Sequence, residues 1–475
     1  MYEFIKKVNY IRLELLKYYI YSITFIFMRK ILIIGSGKSS SYLIKYLLNK
    51  SEKENLFITI ADKYITNTKV LLNSHSKSKA IELDVFDDES REKEIIGADI
   101  VISMLPARFH LMVAKDCIKH SKNMLTASYI NEEMLALNTR AIEKNIVIMN
   151  EIGLDPGIDH MSAMKVIDHI KEKEAKITSF ESYTGGLMAP ESDNNLWNYK
   201  FTWNPRNVVL AGQGGPAKFI QQGYYKYIPY NKLFKRTQKL KVENYGSFEG
   251  YPNRDSLKYR DIYGLEDIKT LCRGTIRKVG FSESWDVFVQ LGMTDDSYLI
   301  ENSKNMKFRD FVDLFLPYNA KESVELKLQK LLKISEKELI WSKLLELDIF
   351  SDQKTITLDK ATPAQILEFI LCKSWTLDPN DKDMIVMTHK FVYELNNKKY
   401  QIDSNMVCIG EDQTYTAMAK TVGLPLAIAT LAILNSKITI KGVQLPVKKD
   451  IYNPILKELI EYGIEFNEYE IPFLA

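Results

Sequence analysis

Along the first third of the chain, short apolar runs alternate with longer segments whose apolar positions recur every three or four residues. Ile31-Leu32-Ile33-Ile34 is the first such run, and Tyr42, Leu43, Tyr46 and Leu47 form the helical pattern behind it. Residues 56–61, 81–85, 98–104, 123–128 and 146–149 repeat the alternation. Unbroken apolar runs mark strands covered on both faces, and helical segments between them predict a parallel, doubly wound α/β sheet. The pattern changes from Met161. A helix leads into an alternating strand over 176–183, then a glycine-rich loop over 184–192 and arginine-bearing loops at 251–256 and 273–277. Residues 306–380 carry Leu and Ile at helical spacing, and two strands at 388–393 and 399–404 meet at Asn396-Asn397. Residues 415–434 form an apolar, Ala-rich helix that contains Lys420, Gly423 and Pro425, so a buried helix is expected rather than a membrane span.

A chain of 475 residues suits two or three domains, and 46% hydrophobic with 26% charged residues describes an ordinary globular protein. A net charge of +3 gives no strong field for nucleic acid or a membrane surface. The cysteines, Cys117, Cys272, Cys372 and Cys408, are scattered without a C-x-x-C pair, which fits a reducing, cytoplasmic setting. No histidine pair has metal-ligand spacing, and no metal is expected. Residues 18–28 form an apolar and aromatic run of 11 residues, too short to span a bilayer and lacking a signal-cleavage pattern. We read Met28 as the initiator and residues 1–27 as over-called upstream sequence, with an added amphipathic helix as the alternative.

Candidate chemistry gathers at the ends of the strands, where ligands bind in open α/β sheets. Gly35-Ser36-Gly37-Lys38 lies between strand and helix, the context in which backbone amides meet a pyrophosphate. Ser40 stands at the third glycine position, so the fingerprint is degenerate. Asp62, closing the second strand, is suited to both ribose hydroxyls and favours NAD, while Lys63 beside it could answer a 2′-phosphate. The segment N-E-I-G-L-D-P-G-I-D-H, residues 150–160, crosses from the sheet to the next helix and carries Asp155, Asp159 and His160. Asp159 doubles as a candidate helix N-cap. Tyr129 follows the fifth strand, and Arg254 and Arg277 are guanidinium forks suited to carboxylates.

Taken together, G-S-G, V-I-S-M-L-P-A-R-F-H, T-A-S-Y, N-E-I-G-L-D-P-G-I-D-H, G-G-L-M-A-P-E-S, Y-K-F-T-W, Y-P-N-R-D-S, R-G-T-I-R and A-M-A-K-T-V-G-L-P resemble the saccharopine dehydrogenases of the glutamate-forming type. The resemblance runs from about residue 29 to the C-terminus. It implies a Rossmann-type domain from 29–152 and 415–475, a mixed α/β substrate and dimerisation domain from 153–305 and 385–414, and a helical insert over 306–384. It implies oxidation of saccharopine to 2-aminoadipate 6-semialdehyde and glutamate, or the reverse, by a homodimer; from the net charge, no nucleic-acid or membrane partner is expected. By similarity Gly35, Ser36, Gly37, Lys38, Ala61, Asp62, Lys63, Asp84, Val85, Met104, Leu105, Leu154, Asp155, Pro156, Trp203 and Asn204 touch the dinucleotide. Ser128, Tyr129, Asp155, Arg254, Thr275, Ile276 and Arg277 hold the substrate, with Asp155, Tyr129 or a water as the acid–base group.

Two positions depart from the family. Fungal members tend to carry Cys-Gly-Gly where this chain has Thr184-Gly185-Gly186, and a basic residue selecting NADP where it has Asp62-Lys63. The expected cofactor is therefore NAD, with NADP open. A related dehydrogenase for a carboxynorspermidine-like substrate, or a non-catalytic dinucleotide sensor, are the competing readings. Arg254 and Arg277 together favour a polyacid over a polyamine.

Overall fold

The computed structural model describes residues 28–473, so the expectation for residues 1–27 lies outside the described residues. Strands β1 to β6 are Arg29–Ile34, Leu56–Asp62, Ser78–Glu82, Ile100–Ser103, Asn123–Leu125 and Val147–Met149. Strands β7 to β12 are Lys176–Met188, Ala217–Gln221, Tyr224–Ile228, Gln238–Val242, Gly246–Pro252 and Thr270–Lys278. Strands β13 to β16 are Asp383–Leu395, Lys398–Ile409, Gly442–Gln444 and Asn467–Pro472. The chain divides into two compact units: one holds the chain up to Gly157 with Val422–Pro446, the other Ile158–Thr421 and the chain from Val447 on.

The first unit is a seven-stranded sheet in the order β15-β6-β5-β4-β1-β2-β3. Its pairings are parallel, and the helical connections put apolar surface on both faces. Ile31 to Ile34 are at most 2% exposed, as a doubly covered strand requires. β15 joins the edge beyond β6, with Val443 N–H donating to Asn138 Oδ1 at 2.9 Å. The apolar helix Ala417–Leu434 is 83% buried, which agrees with a core helix.

The second unit is a nine-stranded mixed sheet. Its main path is β10-β11-β12-β7-β13-β14-β16, and β8 pairs with both β12 and β9. β13 and β14 form a hairpin whose two connecting residues, Asn396 and Asn397, have φ of 51° and 60°, the backbone of a tight two-residue turn that asparagine tolerates. The helices Phe308–Asp313, Val324–Leu332, Leu339–Glu346 and Pro363–Trp375 do not build a core of their own. Phe308, Leu328, Leu344 and Leu367 share one buried cluster with Trp197, Phe248 and Trp285. Trp375 sits edge-on to Trp197 and Tyr199, with both ring centroids 5.2 Å away.

Several readings from the sequence differ from this picture. Residues 184–188 and 273–277, expected in loops, lie inside β7 and β12. The chain from Val447 on, expected with the first domain, belongs to the second unit: β16 pairs with β14, and helix Lys449–Ile460 packs on helix Ile158–Glu172. Asp159 does not cap that helix but lies in its first turn, 2% exposed and ion-paired with Arg273. His160, carried by the same segment as a candidate for chemistry, is fully buried, with Nδ1 2.6 Å from Tyr263 Oη.

Candidate functional site

In the first unit, Gly35 ends β1 with φ of +98°, and a Cβ there would meet the Met104 carbonyl at 3.0 Å. Only glycine lets the turn close against the Met104-Leu105 segment. Gly37 then leads into the turn Lys38–Ser40 and helix Ser41–Lys50, with open space where its Cβ would stand. The amides of residues 37 to 39 head the helix, where no earlier turn can accept from them, so the segment fits a pyrophosphate. Ser40 suits the third position because its Oγ and its N–H both donate to Gly37 O, at 2.8 and 3.0 Å.

Asp62 is engaged within the protein. Its Oδ2 accepts from Ser36 N–H at 2.6 Å and Ser36 Oγ at 2.9 Å, and its Oδ1 accepts from Tyr64 N–H at 3.0 Å. The carboxylate ties the glycine turn to the end of β2, which weakens the ground on which it favoured NAD. Lys63 pairs with Asp84 at 3.3 Å, and both side chains are largely exposed. The Phe86 amide and then Lys63 hold the Asp84 carboxyl below its usual range.

Where the chain leaves the sheet, the segment after β5 is bonded to the segment after β6. Ile152 N–H donates to Thr126 O at 3.3 Å, Glu151 N–H to Ser128 O at 3.2 Å, and Ile130 N–H to Glu151 Oε1 at 2.9 Å. The turn over Gly153, Leu154, Asp155, Pro156 and Gly157 closes tightly, Gly153 N–H donating to Pro156 O at 2.9 Å across a cis Asp155–Pro156 peptide. A Cβ at Gly157 would stand 2.1 Å from Gly153 O. The result is a phenol–carboxylate pair, Tyr129 Oη donating to Asp155 Oδ1 at 2.7 Å.

Ser128, one residue before that phenol, touches a group the sequence reading passed over. Its Oγ is 2.7 Å from His110 Nε2, and His110 Nδ1 is 2.8 Å from Ser103 Oγ. Burial pushes the His110 imidazole down to about 4, so it is neutral near pH 7. The one signal in the sequence was the position of Ser103 and His110 within V-I-S-M-L-P-A-R-F-H, at a strand exit and the following helix start.

The second unit carries the arginines. Alternation along β12 puts Arg273, Thr275 and Arg277 on one face. Arg273 pairs with buried Asp159 and lies 4.2 Å from the Tyr259 ring centroid, so its charge is met inside the protein. Arg277 is different. It is 7% exposed, lies over the rings of Tyr199 and Phe281 at 5.0 and 5.3 Å, and donates through Nη1 to Ile276 O at 2.8 Å. Its Nε has no partner, and it forms no ion pair among the described residues. Ile276 itself is fully buried, so its share in the strand is backbone. Thr275 Oγ1 accepts from Asn253 Nδ2 at 3.1 Å, which joins β12 to the loop bearing Arg254. Arg254 is exposed with φ of 48°, and Asp255 beside it pairs with Lys218 at 3.1 Å. Trp203 packs at the margin of the core, and Asn204 Oδ1 caps helix Pro205–Val209 by accepting from Asn207 N–H at 3.3 Å. No cluster able to hold a metal ion occurs among the described residues.

The parallel sheet, its glycine turn and the phenol–carboxylate pair define a dinucleotide-dependent oxidoreductase. A family model described as "Saccharopine dehydrogenase NADP binding domain" matches residues 31–149, and "Saccharopine dehydrogenase C-terminal domain" matches 153–464. The chain belongs to the saccharopine dehydrogenase family. It is 33% identical over 450 residues to "Saccharopine dehydrogenase [NADP(+), L-glutamate-forming]" of Schizosaccharomyces pombe, covering 93% of this chain and 99% of that one. Over 459 residues it is 34% identical to the mitochondrial alpha-aminoadipic semialdehyde synthase of Mus musculus, covering 92% of this chain and 47% of that longer protein. The apo saccharopine dehydrogenase (L-Glu forming) structure from Saccharomyces cerevisiae superposes with a TM-score of 0.83 at 33% identity, covering 93% of this chain and all of that one.

Proposed function

We propose that this chain is a saccharopine dehydrogenase of the glutamate-forming type within lysine metabolism. In the oxidative direction saccharopine, NADP+ and water give 2-aminoadipate 6-semialdehyde, glutamate, NADPH and a proton. The observation that carries the reading is Arg277, a buried guanidinium with one carbonyl acceptor and no carboxylate partner among the described residues. A buried charge of this kind is costly until an anion meets it. Saccharopine brings three carboxylates, whereas a polyamine substrate would bring further cations.

Arg277 receives one carboxylate, with Thr275 and Arg254 as further donors on its own unit; Ser128 donates to a substrate carboxylate. The Asp155 carboxylate stabilises the positive nitrogen that persists as the adjacent C–H bond breaks. Tyr129, already donating to Asp155 at 2.7 Å, keeps a second proton-bearing group beside it for water addition and C–N cleavage. A nicotinamide dinucleotide, when bound, would supply the hydride acceptor. In the first unit residues 35–38, 61–63, Asp84, Val85, Met104, Leu105 and 154–156 would hold the dinucleotide.

We favour NADP over the NAD expected from Asp62. The support is the engagement of Asp62 by Ser36 and Tyr64, the largely exposed Lys63 available for a 2′-phosphate, and the NADP named in the relatives. The homodimer expected from the resemblance and the cytoplasmic setting expected from the cysteines are kept with this proposal, and light scattering and cell fractionation test them. The function is tested by supplying saccharopine and a carboxynorspermidine-like polyamine in parallel with NADP. Reduction with saccharopine alone is expected, and reduction with the polyamine alone would overturn the reading.

A further inference from the structure

We propose that His110 is a positioning residue for substrate binding, which fixes the Ser128 hydroxyl as a hydrogen-bond donor toward a substrate carboxylate. This rests on the reading above, in which Ser128 binds the substrate.

The geometry offers the imidazole few alternatives. His110 is 4% exposed, and its neighbours Ser103 and Thr126 are 0% and 1% exposed, so water does not compete for its nitrogens. Nδ1 lies 2.8 Å from Ser103 Oγ and Nε2 lies 2.7 Å from Ser128 Oγ. Thr126 Oγ1, 3.2 Å from Nε2, already accepts from Ser128 N–H at 3.3 Å, so it holds the Ser128 backbone while His110 holds the side chain.

A neutral imidazole has one donor and one acceptor. If Ser103 O–H donates to Nδ1, then Nε2–H donates to Ser128 Oγ, and the Ser128 O–H is left to donate outward. A carboxylate accepts and cannot donate, so this tautomer is the one that leaves Ser128 complementary to it. Each bond in the chain polarises the next. The chain ends at Ser103, which is fully buried at the end of β4, so it is no route for protons to solvent. That ending, with an imidazole held neutral by burial, separates a positioning role from acid–base catalysis.

The test uses the full-length enzyme with Ser128→Ala, His110→Leu, His110→Gln, Ser103→Ala and the Ser128→Ala/His110→Leu double variant. The readouts are KM for saccharopine, KM for NADP, and kcat. His110→Leu is expected to raise the saccharopine KM about tenfold, with kcat and the NADP KM within about twofold of wild type. His110→Gln, which can still donate to Ser128, is expected to recover most of that loss. In the Ser128→Ala background His110→Leu should add nothing. Should His110→Leu not fold, Ser103→Ala carries the test, because it frees the tautomer with little change in volume; about a threefold rise in KM is expected, again absent in the Ser128→Ala background. A KM rise for Ser128→Ala without one for the His110 and Ser103 variants overturns this inference alone. An unchanged KM for Ser128→Ala overturns the underlying reading of Ser128. Additive losses in the double variant assign His110 a structural role instead.

Discussion

Replacing Arg277 by methionine separates substrate binding from stability, because the two should move in opposite directions. The guanidinium is 7% exposed, and its one hydrogen bond among the described residues goes to the carbonyl of its neighbour Ile276. Burying a charge costs several kcal/mol after relaxation, and a single neutral acceptor offsets only part of it. Methionine keeps apolar contact with Tyr199 and Phe281 but gives up the cation–π attraction, worth about 0.5–2 kcal/mol. Unliganded stability should therefore hold or rise by about 1 kcal/mol, which for a unit of this size moves Tm by roughly 2–4 °C. Binding should suffer. Each hydrogen bond to a charged group contributes about 1.5–3 kcal/mol, so losing the carboxylate grip should raise KM for saccharopine by about 10- to 150-fold. Melting curves with and without saccharopine, paired with initial rates, read both effects. A fall in unliganded Tm of more than about 5 °C with KM unchanged would show that the guanidinium serves the fold, and the argument from an unmatched buried charge would fail.

Three further outcomes follow from the same structure. Asp155→Asn keeps an acceptor for Tyr129 but removes the negative charge, and should lower kcat/KM for saccharopine about 100-fold in steady-state assays with little change in melting temperature; a loss below threefold would remove Asp155 from the chemistry. Lys63→Ala should raise KM for NADP about tenfold and leave KM for NAD within about twofold, since only the former carries a 2′-phosphate; equal effects on both would refute the assignment. His389, bonded to Ser162 and Ser182, is pushed down to about 4 chiefly by burial, with Arg273 and His160 pushing the same way and Asp159 opposing. The unfolded chain takes up this proton at about pH 6.5 and the native state does not, so stability is fully present above that value. It then falls by at most about 1.4 kcal/mol per pH unit as pH drops toward 4. Denaturant unfolding at pH 7, 6 and 5 should show this slope reduced in His389→Gln, and an unchanged slope would count against the neutral imidazole.

The apolar runs in residues 31–149 and the glycine turn were legible because a doubly covered parallel strand leaves few polar positions to confuse the pattern. The second unit hid more. Arg273 and Arg277 around Gly274 read as a loop, yet they sit in β12 because Asp159 neutralises the first and two aromatic faces flank the second. Thr184 to Met188 looked like a glycine-rich loop, but a Cβ at Gly185 would stand 2.2 Å from Ile276 O, so the glycine serves close strand packing. The segment after the apolar helix was assigned with the first domain, but helix Lys449–Ile460 lies in the second unit, a placement set by its packing on helix Ile158–Glu172 rather than by any local pattern. At the candidate site the sequence supplied Tyr129, Asp155 and Arg277 as residue types. It did not show that Asp62 would be engaged by its own turn, or that Ser128 would rest on His110. Both depend on side chains brought together across separate strand ends.

The most direct measurement is the stoichiometry of turnover: purified protein, saccharopine and NADP, with NADPH followed by near-ultraviolet absorbance and glutamate quantified in the same sample. The account predicts one glutamate released for each NADPH formed. NADPH formation without glutamate, or no reduction of either NADP or NAD under conditions where the dinucleotide binds, would contradict it.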